Sequence, residues 1–260
     1  MTIDQKPLIW IELIVLISLV LVYGLATYQR NFVWKDDVTL WSDVVKKSPA
    51  KVRPHNNLAV SYNERKLTEQ AIAEALIALR LSPNYPYSFA LIGDAYFEKG
   101  LFDMAIMLYK HALSIKSDYL NPNIRKYCFK GMGKAYAKKG EMNLAIKAFK
   151  KAVKLSPNDI TARVNLAAVY GSMGLTGQAI TELRYALTVK PDSSDTHYNL
   201  GIAYEQLAES YELRAMSQEQ LAGSRELIVK AITEYKKALM LNPDDIQARE
   251  RMIKLRAKSK

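Results

Sequence analysis

A stretch that the chain uses twice decides the fold: RVNLAAVYGSMGLTGQAI, residues 163–180, and HNNLAVSYNERKLTEQAI, residues 55–72. The two stretches align without a gap at Asn-Leu-Ala, at a tyrosine four residues after the leucine, and at Gln-Ala-Ile. Recurrence of one pattern along a chain indicates an array of structural repeats, because each unit is too small to bury its apolar side alone.

Further copies of the pattern bring the total to five between residues 52 and 243. The small residues predict close approaches between helices, the tyrosines fill the space between them, and the closing proline ends the second helix of each unit. The second copy has Ser117 where the others have proline. The signature residues are Tyr62, Ala71 and Pro83; Gly93, Tyr96 and Ala105; Gly133, Tyr136, Ala145 and Pro157; Tyr170, Ala179 and Pro191; Gly201, Tyr204, Ala231 and Pro243.

This pattern resembles the tetratricopeptide repeat (TPR), whose leucine-glycine-tyrosine, alanine and terminal proline positions it matches. The resemblance implies an all-α fold, a right-handed TPR α-solenoid. The apolar N-terminal segment described below adds an N-terminal single transmembrane helix to this expectation. The five units of the solenoid would cover residues 52–85, 86–119, 126–159, 160–193 and 194–245. The tryptophan that the family places three residues before the leucine is replaced, in chain order, by His55, Phe89, Phe129, Arg163 and His197.

Segments 30–51 and 246–260 are predicted to cap the two ends of the solenoid. The first segment is expected to be a half-repeat with Trp41 in the aromatic position of a second helix. The other is expected to be a polar closing helix, with Ile246, Met252, Ile253 and Leu255 turned inward. Terminal units with a polar outer face are what a soluble stack of repeats requires.

The fifth unit contains an insertion. Tyr204 and Ala231 are 27 residues apart, where the equivalent residues of the other copies are separated by nine. Divided between two helices, the extra residues lengthen each by about 14 Å. We therefore expect the fifth hairpin to project beyond its neighbours, with Ser217 capping the returning helix.

Residues 1–29 are predicted to form a membrane anchor. LIWIELIVLISLVLVYGLATY, residues 8–28, contains one charged side chain, Glu12, and as a helix is about 31 Å long, enough to cross a bilayer. A cleaved signal peptide is the alternative, since Gly24-Leu25-Ala26 is a small-x-small pattern. The apolar run is longer than a signal core and is preceded by a single basic side chain, Lys6, which favours an uncleaved anchor.

The segment after the anchor carries a second resemblance. YQRNFVWKDDVTLWSDVVKKSP, residues 28–49, is similar to the junction between the last membrane helix and the repeats of transmembrane and tetratricopeptide-repeat glycosyltransferases, at Arg30, Asn31, Trp34, Asp37 and Trp41. The resemblance implies an extracytoplasmic solenoid, periplasmic or lumenal. Basic residues after the membrane helix favour a cytoplasmic solenoid by the positive-inside rule, but this rule is weak for large domains. The catalytic portion of that family has no counterpart in this sequence, so no transferase activity is implied.

Candidate binding residues lie on the first helices of the units. In O-GlcNAc transferases, whose repeats these resemble, asparagines in the position before the leucine grip a peptide backbone. Asn57, Asn165 and Asn199 occupy that position here, while Leu91 and Gly131 interrupt the series. A carboxamide suits this role because it donates and accepts hydrogen bonds at once. The alternative is that these asparagines stabilise helix packing.

Charged residues on two first helices predict a groove whose charge changes from one unit to the next. Lys130, Lys134 and Lys138 recur every fourth residue and form a one-sided basic stripe that could bind an acidic segment. The preceding unit carries Asp94 and Glu98 instead. The alternative is that the lysine stripe is simply a solvated helix face.

No pattern in the sequence indicates catalysis. The three histidines are too far apart in register to form a metal site, and Cys128, the single cysteine, excludes an internal disulfide and any multi-cysteine metal site. Neither a phosphate-binding loop nor a dinucleotide-binding motif is present. We therefore expect no catalytic residue, no metal and no cofactor.

The net charge of +11 and pI near 9.5 are compatible with a polyanion, an anionic lipid surface or simply a lysine-rich soluble surface. The leading interpretation is a membrane-anchored scaffold or accessory subunit that binds protein partners: an acidic or extended segment, or a polytopic membrane protein. One alternative is the detached repeat half of a membrane glycosyltransferase system. A second is a basic surface for polyanions, although the absence of a recognition motif disfavours nucleic acid.

Overall fold

The computed structural model of the protein describes residues 6–116, 118–214 and 218–258, which form thirteen α-helices and no strand. The helices are α1 (Lys6–Val33), α2 (Asp37–Lys47), α3 (Val52–Glu64), α4 (Thr68–Leu81), α5 (Pro86–Glu98), α6 (Phe102–Ser114), α7 (Pro122–Lys138), α8 (Met142–Leu155), α9 (Ile160–Ser172), α10 (Thr176–Val189), α11 (Ser194–Arg214), α12 (Gln218–Leu241) and α13 (Ile246–Lys258).

The first helix is long, apolar and uncovered. It extends to Val33, beyond the boundary predicted at residue 29. Its large apolar side chains between Trp10 and Tyr28 are 44–69% exposed. Within the described part of the chain it is the one helix with the length and composition to cross a membrane, a test that a signal sequence also passes.

The junction between α1 and the repeats is held by specific side-chain contacts. The Arg30 guanidinium lies 5.2 Å from the centre of the Trp34 ring. The Trp34 indole N–H donates to Asp43 on α2 at 3.3 Å. Asp36 caps α2 and pairs with Arg65 of the first hairpin at 3.0 Å. These contacts give the arginine and tryptophan of the junction motif a structural role.

Helices α3 to α12 form five antiparallel hairpins that stack in chain order. Neighbouring first helices also contact one another directly, α3 with α5, α5 with α7, α7 with α9 and α9 with α11. No comparable packing joins neighbouring second helices in the residues described. The first helices therefore line the inner, concave side of an α-solenoid.

Small residues allow the two helices of a hairpin to approach closely. In three hairpins a methyl group added at the signature glycine would lie only 2.7–2.9 Å from an aromatic ring of the second helix. The signature alanines are at most 1% exposed. Among the signature tyrosines, Tyr136 and Tyr170 are buried and the other three are half-buried. The glycine pairs are Gly93 with Tyr109, Gly133 with Phe149, and Gly201 with Tyr235.

The hairpin turns explain where each helix ends. Four residues after the signature tyrosine, Gly100, Gly140 and Gly174 have φ between +72° and +80°, and Lys66 has φ +59°. Glycine adopts this left-handed backbone without the steric cost that a side chain incurs. Each second helix that has a closing proline ends two residues before it, at Pro83, Pro157, Pro191 and Pro243.

The fifth hairpin is longer because its first helix does not turn at this position. Ala208 occupies the place of the turn glycines and is buried inside α11. Helices α11 and α12 have 21 and 24 residues, against 13 and 14 in α9 and α10, so each is about 12–15 Å longer. The predicted cap at Ser217 lies outside the described residues. Near the end of the hairpin, Leu213 is 89% exposed.

The prediction for the closing helix is wrong in part. Leu255 is buried and Met252 packs beside it, but Ile246 and Ile253 are 67% and 58% exposed. The buried face of α13 is set by Ala248, four residues before Met252 and seven before Leu255. The two isoleucines, seven residues apart, share a different face of the same helix.

Candidate functional site

Three adjoining recesses form a groove along the first helices. The first recess, of about 350 Å³, lies among α3, α5 and α7. The second, also about 350 Å³, lies between α7 and α9, and the third, about 250 Å³, between α9 and α11. Phe97 and Lys134 line both the first and second recesses, while Ala168 and Ser172 line both the second and third. The shared residues make the groove continuous.

The structure places the three candidate asparagines differently. Asn165 lines the second recess, and its Nδ2 is buried without a hydrogen-bond partner among the described residues. Asn199 lines the third recess, but its Nδ2 donates to the Asp195 carbonyl of its own helix at 2.7 Å. Asn57 is half-buried on α3 and lines none of these three recesses. Only Asn165 combines a place in the groove with an amide donor left unused by the described residues.

The gap in the asparagine series has a steric cause. Leu91 is buried in the core at the second position of the series. At the third position, a Cβ added to Gly131 would collide with the ring of Tyr109. That ring reaches across Gly131 so that its hydroxyl can donate to Asp94 at 2.6 Å. An asparagine at residue 131 is therefore incompatible with the position of Tyr109.

The lysine stripe is divided by its surroundings. Lys130 lines the first recess and is paired with Asp159, the residue that caps α9, at 3.2 Å. Lys134 and Lys138 are exposed, line the second recess and have no acidic partner within 4 Å among the described residues. The structure thus brings Lys134, Lys138 and Asn165 together at the second recess, which Lys130 does not line.

Asp94, a half-buried residue with two tyrosine partners, lines the first recess. Asp94 accepts hydrogen bonds from Tyr109 of α6 and Tyr127 of α7. Burial raises the pKa of Asp94 to about 6, although both hydroxyls and the charge of Lys134 favour its ionised form. The sequence showed Asp94 as a charged groove position but gave no sign of its tyrosine partners.

The tryptophan position of the repeat carries polar links that the sequence analysis missed. His55 and His197 each place Nδ1 2.6 Å from a glutamate of the returning helix and Nε2 within 2.9 Å of the preceding proline carbonyl. Arg163 makes the equivalent contacts with Glu182 and the carbonyl of Pro157. A glutamate 19 residues after His55 and after Arg163 was the available signal. These links fasten the first, fourth and fifth hairpins to the end of the preceding helix.

The remaining reactive groups are inaccessible or dispersed. Cys128 is fully buried, and burial raises the pKa of its thiol to about 12. Such a thiol is inert towards ordinary electrophiles. Among the described residues, no group of three or more His, Cys, Asp or Glu side chains could hold a metal ion.

Comparison with known proteins gives two family-model matches: the description "Tetratricopeptide repeat" fits residues 86–119, and "TPR repeat" fits residues 133–174. No curated protein matches the chain significantly.

Similar solved structures share the fold at low sequence identity. PilF of Pseudomonas aeruginosa is 16% identical, with a TM-score of 0.61, over 91% of this chain and 94% of that one. TTC0263 of Thermus thermophilus is 18% identical, with a TM-score of 0.56, over 80% and 100%. YrrB, described as "a TPR protein with an unusual peptide-binding site", is 21% identical, with a TM-score of 0.52, over 81% and 96%.

Proposed function

Because the chain is a tetratricopeptide-repeat protein, we propose that it is a membrane-anchored docking protein that binds an extended segment of a partner protein in its groove. Stacked helical repeats present long concave surfaces of the kind that bind extended segments. We propose both that the chain is bound to a membrane and that its partner is a protein.

The second recess supports the proposal most directly. Its floor is apolar, with Phe97, Phe149 and Val169, and the buried Nδ2 of Asn165 has no partner among the residues described. A buried donor without a partner is costly, and a peptide carbonyl would satisfy it. The peptide-binding site named for YrrB is consistent with this use of the fold, although the two chains are only 21% identical.

Exposed lysines at the same recess favour a segment with acidic residues. Lys134 and Lys138 stand on one face of α7 without an acidic partner among the described residues. Charges at the rim of an interface mainly accelerate association and select the partner, and they weaken as salt rises. We therefore propose that acidic residues of the bound segment lie beside these two lysines.

The anchor is proposed from α1. Between Trp10 and Asn31 the helix spans 22 residues with no part of its apolar window buried. An uncovered apolar surface of this length is stable in lipid and costly in water. The extracytoplasmic side is proposed from the junction motif alone, and protease accessibility in intact spheroplasts would test it.

A peptide-display selection tests the groove. The full chain in lipid nanodiscs is used to select from a random peptide library, with empty nanodiscs as the control. We expect enriched peptides that contain acidic residues. Lys134→Glu combined with Lys138→Glu should reduce their affinity about tenfold, whereas Lys147→Glu on the exposed face of α8 should not.

The asparagine variant separates binding from packing. Asn165→Ala should weaken the selected peptides about 3- to 10-fold, the effect of one hydrogen bond, while the melting temperature stays equal or rises. A lowered melting temperature with unchanged binding would make the asparagine structural.

Two other functions predict different results. Competition by heparin with a steep salt dependence, insensitive to Asn165, would indicate a polyanion-binding surface. Co-purification with a polytopic membrane protein, together with altered glycans on deletion, would indicate the glycosyltransferase subunit suggested by the junction.

A further inference from the structure

The first recess differs in chemistry from the rest of the groove. Its wall carries the carboxylates of Glu64, Asp94 and Glu98. Glu64 and Glu98 are exposed at the mouth, while Asp94 is half-buried with its oxygens against two tyrosine hydroxyls. Two bonded hydroxyls leave lone pairs free on a carboxylate, which has about four acceptor positions.

A second, independent observation also calls for a donor. Asn63 lines the same recess and donates its Nδ2 to the Leu91 carbonyl at 3.0 Å. Its Oδ1 is buried and has no hydrogen-bond partner within the described part of the chain. Because the amide nitrogen is already used, the unsatisfied atom is an acceptor. The unmet requirement of this recess is therefore a hydrogen-bond donor.

Aromatic rings complete the wall. Tyr87 and Tyr127 line the recess with their ring centres 5.5 Å apart in an edge-to-face arrangement, and Phe97 closes the side towards the second recess. The faces of such rings attract cations, and guanidinium groups stack on them readily.

We infer that the first recess holds a basic side chain, arginine or lysine, of the bound segment. This inference rests on the proposed function, because the side chain is delivered by the segment that occupies the groove. Arginine fits best, since its planar guanidinium can donate several hydrogen bonds while stacking on an aromatic ring.

The lysines that line the recess do not prevent a cation from binding there. Lys130 and Lys134 also line it, but Lys130 is paired with Asp159 at 3.2 Å, and Lys134 lies at the boundary with the second recess. Burial leaves the charge of Asp94 poorly solvated and raises its pKa to about 6. A cation bound beside Asp94 would favour the ionised carboxylate.

The inference gives the bound segment a direction. The first recess lies towards the anchor, whereas Lys134 and Lys138 face the second recess further along the solenoid. The segment would carry its basic residue towards the membrane end of the groove and its acidic residues beyond it.

The selection described above supplies the probes. We expect the enriched peptides to share an arginine or lysine at one position. Synthetic copies in which citrulline, the uncharged isostere of arginine, replaces that residue should bind about tenfold more weakly to the full chain in nanodiscs.

A double variant locates the effect. Glu64→Gln with Glu98→Gln changes two exposed carboxylates, so the fold is retained, and it should reduce the preference for arginine over citrulline, with Asp94 holding the remainder. Glu209→Gln, an exposed carboxylate on the long hairpin, is the matched control and should leave the preference intact.

The outcomes are distinguishable. Selected peptides without a shared basic residue, or equal affinity for arginine and citrulline, would overturn this inference and leave the docking function standing. A preference unaffected by the double variant would place the basic residue elsewhere and also overturn it. Failure to select any peptide over empty nanodiscs would overturn both.

Discussion

Replacing Asp94 by asparagine should change the pH dependence of stability in a defined direction. Asparagine has nearly the same shape and can still accept from one tyrosine hydroxyl, but it carries no charge. The pKa of Asp94 is raised from 3.8 to about 6, chiefly by burial, while Tyr109, Tyr127 and Lys134 act in the opposite direction and Glu98 adds to the increase. The hydroxyls of both tyrosines stay protonated throughout, because burial holds their pKa values well above the ordinary range.

The magnitude follows from linkage between proton binding and folding. The folded chain holds the Asp94 proton more tightly than the unfolded chain, so its contribution to stability is complete below pH 3.8 and is lost as the pH rises through about 6. At about 1.4 kcal/mol per pKa unit, the loss is about 3 kcal/mol. Asp94→Asn lacks this loss, so it should gain about 2 kcal/mol relative to the native chain between about pH 4 and pH 7.5.

The assay compares urea unfolding of the native chain and Asp94→Asn at these two pH values, with the full chain in detergent micelles. Far-ultraviolet ellipticity reports the whole solenoid. Because stacked repeats can unfold separately, the labelling rate of Cys128, the neighbour of Tyr127 on α7, reports the region locally. Glu209→Gln is the control, since this exposed carboxylate lies on the long fifth hairpin and is not among the groups that act on Asp94.

The other carboxylates are common to both chains and cancel in the difference. Two results would refute the reasoning. If the native and Asp94→Asn unfolding free energies change in parallel between the acidic and the neutral condition, Asp94 titrates as an exposed carboxyl does. If the native chain instead gains stability relative to Asp94→Asn as the pH rises, hydrogen bonding outweighs burial and the sign is reversed.

Two further predictions concern the same region. Gly131→Asn, which would complete the asparagine series, should destabilise the protein by about 1–3 kcal/mol through collision with Tyr109, as urea unfolding would show, and Tyr109→Leu should relieve part of that loss. Gly177→Ala, with open space around it, should instead be neutral or stabilising by up to about 1 kcal/mol, and equal effects at the two glycines would contradict the steric account. Cys128 should resist a maleimide at mildly alkaline pH in the folded chain and react on unfolding, because its pKa is raised to about 12, and rapid labelling without urea would show that α7 opens readily.

The repeat architecture is predictable because its signals are local and recur. A glycine or alanine beside the leucine, a tyrosine four residues on and a proline after the second helix are each required by a close contact or a helix end. Residue counting also indicates the long fifth hairpin, since the extra residues, divided between its two helices, lengthen both. The inward face of α13 is harder to assign, because Ile246 and Ile253 compete with Met252 and Leu255 for that face. The buried Ala248, which decides the matter, is easily overlooked.

The groove chemistry is less accessible from sequence because its parts come from distant helices. Asp94, Tyr109 and Tyr127 belong to α5, α6 and α7 and are separated by 15 and then 18 residues. No short motif links them. Likewise, the sequence groups Lys130 with Lys134 by spacing, whereas Asp159 of another repeat neutralises the first and leaves the second available.

The interruption of the asparagine series and the carboxylate cluster have one physical origin. A carboxamide in the inner position can read a peptide backbone whatever its side chains, and Asn165 remains able to do so. At residue 131 a glycine is present instead, and its lack of a side chain allows the Tyr109 ring to cross the helix and reach Asp94. In the middle of the solenoid, therefore, a carboxamide that could bind peptide backbone is absent, and a carboxylate that could bind a charged side chain is present. If the groove binds an extended segment as proposed, α9 would bind its backbone whatever the sequence, and α5 to α7 would select its side chains. Substitutions in the first recess should therefore change which segment binds, whereas Asn165→Ala should weaken all segments about equally.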